Sequence, residues 1–327
     1  MIIQNSKTYN VNEVENLFFR PSFCGKNAEN MGIRVLYNMP LPTKIPTFGH
    51  SFNVLRDFSS GWHGGTTACW SQKDMELKKL KAESSYSAES YFSSVYDLLT
   101  CSADINLGDL SGTDLEKAET ELFRRAIVES VYATMWFGDE TGQMSALSSF
   151  NGFIPQIINY AEENNPETTI RIHDSAPDVN ATDILRDAWT NASPELHSLA
   201  SEGKLAFFVS HDIYDSYLFW LEDNGLLSSV VDANGSRPTL SYHGIPLEVV
   251  PIGDYGLTRA FSFCVLTDRR NLVLALNTAD SPEKEIRMWY NPDEMENRQR
   301  VVFLAGATIV DENLLSGTIY NAGVIFD

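Results

Sequence analysis

Cysteine is scarce in this chain: four in 327 residues, at Cys24, Cys69, Cys101 and Cys264, with no Cys-x-x-Cys. That dispersal argues against a disulfide framework and reads as free thiols in a reducing, cytoplasmic setting. The six histidines are equally scattered, and no His or Cys pair has the spacing of a zinc finger. Basic residues are also few, 24 Lys and Arg against 44 Asp and Glu, for a net charge of −20. Tight binding to phosphate backbones depends on dense cations that displace counterions, so gripping nucleic acid or anionic lipid is disfavoured. What remains is an acidic soluble protein, or one that meets nucleic acid without holding it. No apolar run approaches the roughly 18 residues needed to cross a bilayer. The opening Met1-Ile2-Ile3-Gln4-Asn5 lacks the basic and apolar regions of a secretory signal.

Catalytic signatures are missing too. The chain has no Gly-x-Ser-x-Gly, His-Glu-x-x-His, Gly-x-Gly-x-x-Gly or EF-hand loop. The glycines near residue 61 lack the Gly-x-x-x-x-Gly-Lys-Ser/Thr pattern of a phosphate loop. Three smaller groupings each have a plain alternative. His211 beside Asp212 could act as a base or be a capped surface residue. Asp268-Arg269-Arg270 could clamp an anion or form a polar hairpin turn. Asp293, Glu294 and Glu296 could hold a divalent ion or line a solvated loop. The expectation is no catalytic, cofactor-binding or metal-ligating residue, and no cofactor.

What is present is an ordinary globular balance, 43% hydrophobic and 21% charged, in a chain about two domains long. Residues 1–44 read as an arm. Asn12 can cap a short helix through Phe18 and Phe19, and Pro21, Pro40, Pro42 and Pro46 then force extended backbone, either an arm laid over a partner or a linker. Residues 45–83 read as a long hairpin, rising through Phe48, Phe52, Val54 and Phe58 to a tip at Ser59–Gly65 and descending from Thr66. Lys73, Lys78, Lys79 and Lys81 form its basic cluster, either a solvated strand face or a contact for an acidic neighbour. The strongest local signal is a helix over 113–137, with a Thr113-x-x-Glu116 capping box. Leu115, Ala118, Leu122, Ala126, Ile127, Val131 and Met135 recur at helical spacing, and Gly138 follows as a C-terminal stop. Its length is about 37 Å. A second helix is expected over 181–200 and an aromatic one over 213–221. Strands are expected at 205–210, 245–250, 261–266, 272–276, 286–290 and 300–309. Helices and short strands in irregular order indicate an α+β fold.

This order resembles the major capsid proteins of tailed double-stranded DNA phages, the Hong Kong 97 fold. The likeness runs through the arm, the hairpin, the long helix and the Asp183–Asp223 helix–strand–helix stretch. It continues through Gly244-Ile245-Pro246-Leu247-Glu248-Val249 and the late run from Val301 to Asp311. The resemblance implies an N-arm at 1–44, an E-loop hairpin at 45–83, a P-domain at 84–152 with its spine helix at 113–137, an A-domain at 153–280, and a return to P-domain strands over 281–327. It implies a structural protein, not an enzyme, that forms hexamers and pentamers of an icosahedral head shell around packaged DNA, in the virion and, before assembly, the host cytoplasm. With about 40 residues ahead of the hairpin, a cleavable scaffolding segment has no room. A separate scaffolding protein is therefore expected, beside a portal and minor capsid or decoration proteins, with no membrane partner. The family's Lys-to-Asn cross-link does not transfer, since no Asn stands out between Asn291 and Asn297. Intersubunit contacts are expected from Phe18 and Phe19 on the arm and from Trp62, His63, Trp70, Lys73, Lys78 and Lys79 on the hairpin. An encapsulin-like shell around protein cargo, or a soluble α+β enzyme, are the alternatives.

Overall fold

The computed structural model describes residues 28–39, 43–50, 60–61, 68–87, 109–111, 114–142, 147–164, 168–175, 180–226, 240–251, 261–277 and 286–321. Two sheets and a hairpin organise them. The five-stranded sheet runs β1 (Arg34–Leu36), β10 (Leu272–Leu276), β12 (Glu296–Ile309) and β11 (Arg287–Asn291), with β4 (Lys78–Ser87) also paired to β12. The six-stranded sheet runs β5 (Ile170–His173), β13 (Leu315–Tyr320), β9 (Ser262–Asp268), β6 (Leu205–Val209), β8 (Ile245–Val249) and β7 (Ser241–Tyr242). The hairpin pairs β2 (Thr43–His50) with β3 (Ala68–Met75), from Thr43 opposite Met75 to His50 opposite Ala68.

β12 is the spine of the first sheet. It alternates as far as Ala305, with Asn297, Gln299, Val301, Phe303 and Ala305 buried and Arg300 and Val302 exposed, and is buried throughout from there to Ile309. Two polar residues lie on the buried face: Asn297 Oδ1 accepts from the Leu110 N–H at 3.2 Å, and Gln299 Nε2 donates to the Glu119 carbonyl at 3.5 Å while its buried Oε1 meets no donor among the described residues. Gly306 is required by close approach, since a Cβ there would lie 2.2 Å from the Glu76 carbonyl oxygen where the chain crosses it.

The expected long helix is α1 (Asp114–Phe137), 24 residues and about 36 Å long. Its middle faces the first sheet, with Phe123, Ile127 and Val131 in the shared core. Its last turn enters the space between the sheets, where Trp136 meets Phe153, Phe208 and Phe263 at ring separations of 5.3, 5.2 and 6.2 Å. One core therefore joins both sheets. Thr113 of the expected capping box lies outside the described residues. Gly138 ends the helix differently from expectation. It has no positive φ, and a Cβ there would lie 2.2 Å from the Phe150 carbonyl oxygen and 2.5 Å from that of Thr134. Crowding by the returning chain, not a left-handed cap, demands glycine. The return leads into α2 (Phe153–Glu163).

The six-stranded sheet is covered on both faces at its centre, which is why β6 and β9 read as apolar runs. Ala206, Phe208, Phe263 and Val265 face the shared core. Leu205, Phe207, Val209, Cys264 and Leu266 face a second core. That core is built with α3 (Ala181–Thr190), α4 (Pro194–Leu199) and α5 (His211–Asp223). The helix expected over 181–200 is thus two. Pro194 cannot continue the hydrogen-bond ladder and starts the second helix, capped by Ser193 Oγ accepting from the Leu196 N–H at 3.2 Å.

The turn at Arg269–Asn271 is not the hairpin turn expected. β9 and β10 lie in different sheets, and the turn is the crossover between them. A second crossover, from β12 to β13, runs beside it. Asn271 joins the two: its Nδ2 donates to the Asp311 carbonyl at 2.8 Å and its Oδ1 accepts from the Asp311 N–H at 2.8 Å. The result is one antiparallel ribbon, β9–β10 against β12–β13, bent between the sheets. Sheet membership follows this ribbon and not the expected boundary at residue 280: β10 belongs to the first sheet and β13 to the second.

Candidate intersubunit surfaces

The β2–β3 hairpin is held at its root. Ile45, Met75 and Leu77 are buried against Val273 and Ala275 on the outer face of the five-stranded sheet. From Lys78 the chain leaves the hairpin and becomes β4, so the segment 45–83 is a hairpin to Met75 and a sheet strand thereafter. Beyond the root, Trp70 is 63% exposed on β3, in register with Phe48. A two-stranded ribbon without a core is marginal by itself, and a large exposed indole on it is an unfilled contact.

The expected lysines take different positions. Lys73 Nζ lies 2.5 Å from Glu312 Oε1, tying the hairpin to the 3-10 turn Glu312–Leu314. Lys78 Nζ sits 2.7 Å from Glu76 and 3.2 Å from Glu140. Hydrogen bonds to these two carboxylates, Glu76 first, raise its pKa. Lys44 pairs with Asp74 across the two strands at 3.1 Å. Lys79 is exposed on β4. Trp62 and His63 at the tip, and Phe18 and Phe19 on the arm, lie outside the described residues.

The groupings weighed as chemistry are engaged locally. Asp212 accepts from Ser262 Oγ, and His211 Nδ1 is 3.0 Å from Asp215. Arg270 is held by Asp268 and Glu202, with its pKa raised chiefly by the hydrogen bond to Asp268. Glu294 and Glu296 both reach Arg298 in the tight turn between β11 and β12. Among the described residues no three metal-ligating side chains come together. Burial pushes the Cys264 thiol up to about 12, far from thiolate chemistry at neutral pH. Open clefts of about 630 and 340 Å³ lie along β5 and between β4 and α1. In the first, Arg171 is bound to Asn191 and Asp187, and His173 stacks on Tyr320 at 5.0 Å.

Sequence reasoning missed two exposed apolar groups. One is Phe219 and Trp220 on α5, the former 60% exposed. The other is Met288, Trp289 and Met295 around the β11–β12 turn. Their period-breaking large side chains were the available signal, but exposure depends on which face each strand or helix turns inward.

No protein-family model matches the chain, and no curated protein does. Solved structures do. The chain superposes on one from the capsid of an empty GTA particle with a TM-score of 0.53 and 12% identity, over 97% of this chain and 95% of the other. A chain from Gordonia phage Cozz gives 0.51 and 11%, over 93% and 91%. One from the satellite phage P4 procapsid that includes the size determination (Sid) protein gives 0.50 and 11%, over 88% and 93%. At such identities the likeness is one of fold. The α+β fold expected from the sequence is the fold observed, and the Hong Kong 97 arrangement is consistent with it.

Proposed function

We propose that the chain is a major capsid protein, a structural subunit that assembles with copies of itself into the hexamers and pentamers of an icosahedral phage head around packaged double-stranded DNA. The observation that carries this reading is the near end-to-end match in fold to capsid chains, in both directions of coverage. The β2–β3 hairpin supports it, because Trp70 and the strands beyond the root need a surface outside their own subunit. In this reading residues 1–44 are the N-arm, the hairpin is the E-loop, α1 is the spine helix of the P-domain, and the six-stranded sheet with α3, α4 and α5 forms the A-domain. Trp62, His63, Trp70, Lys79, Phe18 and Phe19 reach neighbouring subunits, while Lys73 and Lys78 brace the hairpin that presents them. A separate scaffolding protein, a portal and minor capsid or decoration proteins complete the assembly, which forms in the host cytoplasm. The acidic surface lets packaged DNA move without adhering.

The test is electron microscopy of the native material together with its nuclease-protected contents. Closed shells holding genome-length DNA are expected. Shells filled with a protein cargo would turn the reading to a nanocompartment, and a lone monomer that turns over a small molecule would turn it to an enzyme.

A further inference from the structure

The two faces of the five-stranded sheet differ in character. The inner one is apolar except for Asn297 and Gln299, and it meets α1. The outer one is covered by the hairpin root only at the β10 end, where Ile45, Met75 and Leu77 sit on Val273 and Ala275. Beyond the root, among the described residues, it is open. Register fixes what it presents: Lys79 beside Leu304, Lys81 beside Val302, Glu83 beside Arg300 and Ser85 beside Arg298. On the other flank Arg287 stands opposite Arg300 and Trp289 opposite Arg298.

The charge of this face runs against the rest of the molecule. Five cations (Lys79, Lys81, Arg287, Arg298 and Arg300) meet four carboxylates, Glu83 and Glu296 on the face and Asp293 and Glu294 at its turn, a net of +1 in a chain of −20. Three of the carboxylates are taken up locally: Glu83 by Lys81 at 2.7 Å and Arg300 at 3.9 Å, Glu294 and Glu296 by Arg298. Lys79 and Arg287 have no carboxylate partner among the described residues. Lysine on an edge strand such as β4 can serve only to discourage stray strand pairing. That role does not call for Trp289 and Val302, which stand exposed among the cations, with the Arg300 guanidinium 5.5 Å from the Trp289 ring. Exposed tryptophan and arginine around an aliphatic centre is the composition of an interface.

We infer that this open outer face is a cationic docking surface for an acidic stretch of a second copy of the chain, an inference that rests on the shell reading. The complement is supplied by the protein itself, since the remainder of each copy is strongly anionic. Donor and receiver surfaces differ, so the contact is head-to-tail, the kind that propagates around rings.

Sedimentation velocity of the full chain tests this across salt concentrations up to about 1 M, where charge interactions are screened within about 3 Å. Assembly of the wild type is expected to weaken as salt rises. Two variants reverse or add charge on the face: Lys79→Glu with Lys81→Glu, and separately Ser85→Glu, which removes no ion pair. Each is expected to need at least about tenfold more protein to assemble at low salt, with an unchanged circular dichroism melt. Lys79→Arg with Lys81→Arg is expected to assemble as the wild type does. Assembly of folded Ser85→Glu and Lys79→Glu/Lys81→Glu proteins at the wild-type concentration would overturn this contact and leave the shell reading standing. A wild type that stays monomeric at every salt concentration would overturn both.

Discussion

Asn271 and Cys264 carry two of the tightest constraints in the chain. Asn271 is buried where the two crossovers pass and satisfies both backbone groups of Asp311. Leucine fills a similar volume but leaves that N–H and carbonyl dry, each costing about 1–3 kcal/mol. Asn271→Leu is therefore expected to lower the unfolding free energy by at least about 2 kcal/mol in a urea titration, and an unchanged midpoint would show that solvent reaches the crossover. Cys264 lies fully buried in the second core, and desolvation raises its thiol from 9.0 to about 12. The folded state thus holds a proton that the unfolded chain releases across that interval. The stability contributed by the neutral thiol is present below pH 9 and is lost as pH rises towards about 12. Cys264→Ala is expected to flatten that alkaline decline, and an identical slope in both proteins would contradict the assignment. Neither role is visible in composition: a lone cysteine and a turn asparagine look unremarkable until the sheets that enclose them are in place.

At the scale of elements, the β2–β3 hairpin and α1 play opposite parts. α1 is bound into the core that joins the sheets, whereas the described residues of the hairpin are held by its root and the Lys73–Glu312 pair. That ion pair is partly exposed and contributes at most about 1 kcal/mol, so it orients more than it stabilises. Replacing residues 59–67 by a short turn removes nothing from the root. The variant is expected to melt as the wild type does, yet to fail to close shells. Normal shells from it would show that the tip is not a contact. α1 was readable because its apolar stripe recurs at helical spacing and an amphipathic helix states its own period. β6, β9 and β10 were readable as short apolar runs. α2 was not, because Pro155 and the run Phe153–Ile158 resemble a buried strand, although proline is tolerated in a first helical turn, where its missing N–H has no partner anyway. β13 was hidden by Ser316, Gly317 and Thr318, whose polarity disappears only in context: Ser316 Oγ donates to the Ala188 carbonyl at 2.6 Å. The candidate contacts divide in the same way. Trp70 could be picked out from its own neighbours, but Lys73 finds Glu312 across 239 residues, and no local pattern encodes that.

For the whole molecule, the bent ribbon and the common core make the two sheets one body, with the hairpin reaching out from one side. Such a shape leaves apolar and cationic surface unmatched within the subunit, at Trp70 and at the open face with Trp289. On the proposed reading, repetition of the subunit supplies the partners, and the net charge of −20 suits a wall that need only contain DNA. Cryo-electron microscopy of the native particles tests this most directly. Closed icosahedral shells are expected, built from six-fold and five-fold clusters of this chain, with each β2–β3 hairpin lying on a neighbouring subunit. Particles that remain single subunits at all concentrations and salts, or clusters whose hairpins touch no neighbour, would contradict it.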